Sequence, residues 1–361
     1  MTVLTRRALN RALLHRQLLL RRWSLTPAKA VERLVGLQAQ ATNPPYFALW
    51  TRLDGFRREQ LTQLLTSRRV VRLAVMRSTL HLVTADDCLA LRPVLQPMQE
   101  QAFARSVHGR ATQGLDLDEV AKVARELIEA EPLTNADLGR ALASRWPTRD
   151  TTALLQAVRA RLAIVQLPPR GVWGVGGQPT GTTAEAWLGR PFDPISVDDL
   201  VLRYLAAFGP ASVQDAQTWS GLTRLREVFE RLPLRTFTDE NGVELFDLPA
   251  ARRPHPDTPA PVRFLPEFDN SLLSHADRRR IIAPEHRPHV FTVNGLIRGT
   301  VLIDGFVAAT WKLDSSALTV TPLVPIADRD AVEAEAHRLA AFADASVPIR
   351  VLHRPVAEVA T

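Results

Sequence analysis

Apolar residues recur along this chain first at helical spacing and then at strand spacing, and the alternation repeats. From Leu4 to Arg22, Leu9, Leu13, Leu14, Leu18 and Leu20 set an apolar face against Arg6, Arg7, Arg11, Arg16, Arg21 and Arg22. The pattern predicts an amphipathic helix whose basic side suits a phosphate backbone. Thr26 can cap and Pro27 fits the first position of a second helix, in which Ala30, Val31, Leu34 and Leu37 keep the spacing. Asn43-Pro44-Pro45 cannot continue it, so Gln38 and Gln40 are expected at or near a helix end. Tyr46–Leu53 and Arg58–Ser67 read as helices. Val70–Met76 and Thr79–Val83 then alternate as strands around Arg77-Ser78, and Thr84 with Asp86 and Asp87 starts a helix carrying Cys88.

Helices followed by a hairpin recur. Leu117–Glu131, Ala136–Trp146 and Asp150–Leu162 read as three helices. Ile164–Leu167 and Val172–Val175 follow as strands around a Pro-Gly turn. Val197–Phe208, Val213–Trp219 and Arg224–Leu232 repeat the order, with a hairpin around Asn241-Gly242. Pro249–Pro261 reads as a linker. Strands are expected beyond it at His289–Val293, Leu296–Ile303, Phe306–Leu313 and Ala317–Pro322. Asn294-Gly295 and Asp304-Gly305 are the turns, and a helix Ala331–Ala345 and a short strand Arg350–Leu352 close the chain. The predicted class is α+β, with tandem winged-helix domains and a carboxy-terminal hairpin-rich sheet and helix. The expected bounds are 1–113, 114–185, 186–250 and 251–361.

Composition narrows the function. Of 361 residues 46% are hydrophobic, yet no apolar run approaches the ~20 residues of a membrane span. The amino terminus lacks the apolar region of a secretory signal. One cysteine, Cys88, excludes an internal disulfide framework or a Cys-rich zinc site, so a cytoplasmic setting is expected. The net charge is +7, and all basic residues but Lys29, Lys122 and Lys312 are arginine. That balance suits a polyanion such as DNA, because the guanidinium fork grips phosphate at two points.

The sequence holds no glycine-rich phosphate loop, His-Glu-x-x-His, Gly-x-Ser-x-Gly or kinase set. Neither a metal nor an organic cofactor is expected. Gln38 and Gln40 remain as polar side chains at a chain break. They either satisfy loose backbone groups there or do chemistry, and the residues by themselves leave both open.

Three segments in order, Gln38-Ala39-Gln40 within Leu37–Ala41, Met76–Thr84 and Phe264–Leu273, resemble the AlkZ-like DNA glycosylases. These are winged-helix enzymes that remove bulky or crosslinking alkyl adducts from DNA. The resemblance runs from about the first residue to the last. It implies an open, concave arrangement of the winged-helix units and catalysis by Gln38 and Gln40. A purine alkylated at N7 or N3 is already cationic and leaves neutral. Two amides that hold a water and face the positive sugar then suffice, although neither is a strong base. Candidate DNA contacts are Arg6, Asn43, Arg77, His81, Asn270, Asn294 and Arg298. The expected partner is double-stranded DNA bearing alkyl adducts or interstrand crosslinks, met by a monomer that associates with the nucleoid. Self-protection against a genotoxic antibiotic is the role the resemblance implies. The rival expectation is a winged-helix transcription regulator without enzymatic activity.

Overall fold

The computed structural model describes residues 2–353. Among them, sixteen α-helices and three sheets make a mixed α+β structure. Thr5 caps the first helix by accepting from the Ala8 amide, and the helix runs only from Arg6 to Arg16, because Leu18 turns into left-handed backbone at φ 61°. The residues before it, Thr2–Leu4, form a strand parallel to Arg235–Asp239.

This helix does not present the basic face expected of it. Leu9, Leu13 and Leu14 are buried, but so are Asn10, Arg11 and Arg16. Arg16 pairs with buried Asp247 at 2.7 Å. Arg11 pairs with Asp304 and donates to the Thr258 carbonyl at 2.7 Å. Asn10 donates to the carbonyls of Arg280 and Gly305 at 2.9 and 2.8 Å. The helix is a junction between sequence-distant parts, where inward-facing carbonyls and carboxylates need several donors at once. Arginine supplies five of them in a fixed plane. Part of the basic composition is therefore structural.

A six-stranded sheet runs Leu37–Gln38, Leu80–Thr84, Val70–Ala74, Ile164–Gln166, Thr180–Thr183, Leu133–Thr134. The hairpins expected to belong to two separate units meet edge to edge, with Arg72 opposite Gln166. The second hairpin also departs from expectation, since Val172–Val175 is not a strand and Thr180–Thr183 takes its place. Trp173 explains the change. Its half-buried ring packs 5.2 Å from Tyr46, 5.4 Å from Phe47 and 5.8 Å from Phe342, and these aromatic contacts outweigh strand pairing there. Helices Leu117–Ala130, Asn135–Arg145 and Thr151–Arg161 share a small core around Val120, Ile128, Leu142 and Leu154.

Helices Val197–Phe208, Val213–Ser220 and Arg226–Arg231 lead to the hairpin Arg235–Asp239 and Glu244–Asp247. The carboxy-terminal sheet has Arg263–Leu265, Gly299–Ile303, Phe306–Leu313, Leu318–Pro322 and Ile349–Val351 in that order, with helix Arg329–Phe342 against it. The expected strand at His289–Val293 is instead a helical turn, Arg287–Val290, which Pro288 near its start favours. The Asn294-Gly295 turn follows, closed by a bridge between Phe291 and Ile297. Among the described residues no helix is long and apolar enough to cross a membrane.

Candidate active site

The helix that begins at Pro27 stops at Arg33, well before the two prolines. The Gly36 amide bonds the Val31 carbonyl at 2.9 Å and the Val35 amide that of Glu32 at 3.1 Å. This is the Schellman pattern, and Val35 takes the left-handed position at φ 53° usually held by glycine. Gly36 follows at φ 88°, where an added Cβ would lie 2.7 Å from Val83 and 3.1 Å from the Leu82 carbonyl. The chain then emerges as a strand. Leu37 and Gln38 pair with Leu82 and His81, and the Ala39 amide bonds the Leu80 carbonyl at 2.8 Å. Leu37, expected on the helix, is thus a strand residue; Gln38 ends the strand and Gln40 lies in the bend that follows it.

Two distant side chains fix this strand. Asn270 donates to the Gly36 carbonyl at 2.7 Å and accepts from the Gln38 amide at 3.2 Å, so its carboxamide closes the strand like a missing neighbour. Asn270 is itself held by the preceding residue: Asp269 pairs with both arms of Arg52 at 2.8 and 2.9 Å, the two side chains buried. Burial works against the Asp269 charge, but Arg52 and Ser271 together bring its pKa below the ordinary carboxylate value. On the other side, Arg72 donates to the Ala39 carbonyl at 2.7 Å. Burial and the nearby Arg170 lower its pKa to about 10.

Gln38 is 8% exposed, and its side-chain oxygen accepts from Arg77 at 3.0 Å. Arg77 sits at φ 55° in a tight turn, and its other arm donates to the Trp219 carbonyl at 2.8 Å. Both contacts are within the protein. His81 is 1% exposed, with its Nδ1 2.9 Å from the Thr79 carbonyl. Burial and then Arg77 push its pKa down to about 3, so it is neutral near pH 7. Gln40, by contrast, is exposed. It borders a cleft of about 400 Å³ together with Ser78, Thr79, Leu80, Gln99 and Arg159, and no Asp or Glu is among the residues that line it.

The structure thus brings Gln38, Gln40, Arg77, His81 and Asn270 together from the three sequence segments. Asn270 is 5% exposed with both ends of its amide engaged, and His81 is buried. Neither presents the free surface that a DNA contact needs. Asn43 is exposed three residues after Gln40, at the start of helix Pro44–Arg52. Asn294 and Arg298 are exposed on the turn, whose Ile297 carbonyl accepts from the Phe268 amide at 3.4 Å, next to Asp269. Arg6 is exposed at the start of the first helix, its guanidinium 5.6 Å from the Phe306 ring. Arg72 and Arg52 were not singled out from sequence, where nothing separates them from the other arginines. Among the described residues no three His, Cys, Asp or Glu gather as a metal site.

Comparison with known proteins gives a consistent result. The model of the AlkZ-like DNA glycosylase family matches residues 31–342. An interstrand DNA cross-link repair glycosylase from Streptomyces sahachiroi is 25% identical over 364 residues, covering 94% of this chain and 97% of that protein. The solved structure of Streptomyces sahachiroi DNA glycosylase AlkZ superposes with a TM-score of 0.82 at 23% identity, over 97% of this chain and all of that one.

Proposed function

The chain belongs to the AlkZ-like DNA glycosylase family and is a DNA glycosylase, and we propose that it hydrolyses the N-glycosidic bond of cationic N7-alkylated purines through Gln38 and Gln40. The expectation of a non-enzymatic regulator is set aside with that membership. Its substrates, on this proposal, are bulky natural-product adducts or interstrand crosslinks, which it unhooks to leave an abasic site. The relative's name as a cross-link repair glycosylase supports the same substrate class.

The observation that carries the proposal is the difference between the two amides. Arg77 occupies the Gln38 oxygen, which turns the Gln38 NH₂ toward whatever lies beyond. Gln40 is free to offer its carbonyl oxygen. One water can therefore donate a hydrogen bond to the Gln40 oxygen and accept one from the Gln38 NH₂, keeping a lone pair for the anomeric carbon; the proton it sheds as the new C–O bond forms goes to bulk water. The strand clamped by Asn270 holds that geometry before substrate arrives. No carboxylate bonds either amide, and neutral His81 is no general acid. The site is thus suited to a base that departs without protonation. The Gln40 oxygen also faces the positive charge that develops on the sugar.

The finer architecture follows the same proposal. Residues 1–113, 114–185 and 186–250 are read as winged-helix units, and 251–361 as linker and carboxy-terminal domain, in an open concave arrangement that receives a duplex. Asn43, Asn294, Arg298 and Arg6 are the exposed candidates for DNA contact. Val293 at 104% and Leu296 at 57% exposure give the Asn294-Gly295 turn an apolar tip fit to press on base pairs. Arg77, His81 and Asn270 act through the glutamine strand. The protein works as a monomer at the nucleoid, in self-protection against a genotoxic antibiotic. The test is incubation with duplex DNA bearing one N7-methylguanine in chelator, then heating in alkali. Strand cleavage at the lesion beyond that of an enzyme-free control supports the proposal. Tight binding without cleavage, on this duplex and on one bearing a bulky N7 adduct, refutes it.

A further inference from the structure

We propose that the cleft beside Gln40 is a binding site for the group appended to the alkylated base, and that it takes extended, neutral groups rich in hydrogen-bond acceptors. This rests on the glycosylase proposal above, in which the purine itself stays at the glutamine strand. At about 400 Å³ the cleft falls within the size range of small-molecule sites, roughly 300–1,000 Å³. It lies between the Ser78–Leu80 segment, the helix Gln96–Arg105 and the three-helix core that follows. Ile128, Leu138, Leu162 and Phe103 supply its apolar lining.

Its charged groups are all donors. Arg92 is 2% exposed and bonds Gln96 and the carbonyls of Ala160 and Leu162, at 3.2 and 3.5 Å, but no carboxylate. The Arg159 side chain makes no ion pair or hydrogen bond among the described residues. No acid lines the cleft itself, and Glu100 and Glu185 act on Arg92 only from behind its wall. A cationic purine gains nothing beside two guanidiniums in a partly dry cleft, where like charges repel more strongly than in water. The unengaged Arg159 guanidinium suits carbonyl and ether oxygens, while Arg92 supplies charge but no free donor. A backbone phosphate would match the charge, yet the Arg92 donors are turned onto main-chain carbonyls and the walls are largely apolar. Both features favour a neutral, partly aromatic group. Adduct bulk would then add binding on the enzyme rather than obstruct it.

Two variants of the full chain test this: Ala102→Trp, at an exposed position on the cleft wall, and Arg159→Ala. Each is assayed for kcat/KM on duplexes bearing one N7-methylguanine or one N7-phenacylguanine. The parent protein is expected to prefer the phenacyl lesion, and the preference should fall by about tenfold in Arg159→Ala, the loss of one hydrogen bond to a charged group, and at least as far in Ala102→Trp, whose indole fills the space the appended group would occupy. An unchanged preference, or an equal loss on both lesions as a phosphate site would give, overturns the proposal. If the parent excises neither lesion, the glycosylase proposal fails, and binding still decides on the cleft. Gln40→Ala protein should hold the phenacyl duplex more tightly than the unmodified one. Adding Ala102→Trp should abolish the difference; equal affinities without it overturn the assignment.

Discussion

Replacing Asn270 by alanine removes one carboxamide and two hydrogen bonds, to the Gly36 carbonyl at 2.7 Å and from the Gln38 amide at 3.2 Å. Both backbone groups are left unpaired in a site only 5% exposed at Asn270. A buried polar group without a partner costs about 1–3 kcal/mol. The weaker bond to Gln38 belongs at the low end, so the sum is roughly 2–4 kcal/mol. For large domains each kcal/mol lowers Tm by about 2–4 °C, which predicts a fall of roughly 4–16 °C. The consequence for catalysis is separate. The freed strand carries Gln38, and a displacement of about 1 Å at a reacting geometry costs on the order of 100-fold. Single-turnover excision of N7-methylguanine, measured well below Tm, should slow by about that factor, with DNA affinity nearly unchanged. Loss of affinity with intact turnover would refute the clamp and restore the direct DNA contact. Asn270→Asp sharpens the test. One oxygen still accepts from Gln38, but the other faces the Gly36 carbonyl, and only a protonated carboxyl relieves that clash. The folded pKa is then raised above its unfolded value of about 3.9. The interaction is intact below that value and lost as pH rises through the folded one.

Other outcomes follow from the same geometry. Arg77→Ala should lower kcat about 10- to 100-fold, the worth of a hydrogen bond from a charged group, and leave KM largely unchanged. Arg77→Lys, which reaches one acceptor but not two, should recover part of the loss. A rise in KM with kcat intact would mean that Arg77 contacts DNA. Three buried or half-buried histidines contribute to the loss of stability in acid. Burial, the largest cause for each, lowers His81 and His275 to about 3 and His15 to about 4, from the ordinary 6.5. The unfolded chain binds their protons first, so stability is full above pH 6.5 and falls as pH drops toward 3–4. Urea midpoints at pH 7.5, 6 and 5 should decline in that order, and a flat profile would contradict the burial of these rings.

Much of this fold was legible in the chain itself. The Asn241-Gly242 and Asp304-Gly305 turns, the caps at Thr26, Thr84 and Ser196, and the three-helix repeats all appear where their residues point. The glutamine pair was visible, but not its conformation. The left-handed residue that ends the preceding helix is valine, and the glycine that marks the turn comes one residue later. Leu37 therefore continued the helical spacing by coincidence. Contacts over long separations left no local trace: Asn270 meets Gln38 across 232 residues and Arg52 meets Asp269 across 217. The inward arginines of the first helix mimic a basic surface, because amphipathic spacing does not say whether a charged face meets water or a buried carboxylate. Trp173 was lost for a related reason, since its partner Phe342 lies in another part of the chain.

The central claim is that an already cationic base leaves so readily that two neutral amides holding a water complete the catalytic apparatus. Gln40→Ala tests it most directly, by single-turnover excision of N7-methylguanine alongside the dissociation constant for the same duplex. Loss of one such electrostatic contact should slow excision about 100- to 1,000-fold while affinity stays within about twofold. Excision at the parental rate would contradict the claim, whatever happened to binding.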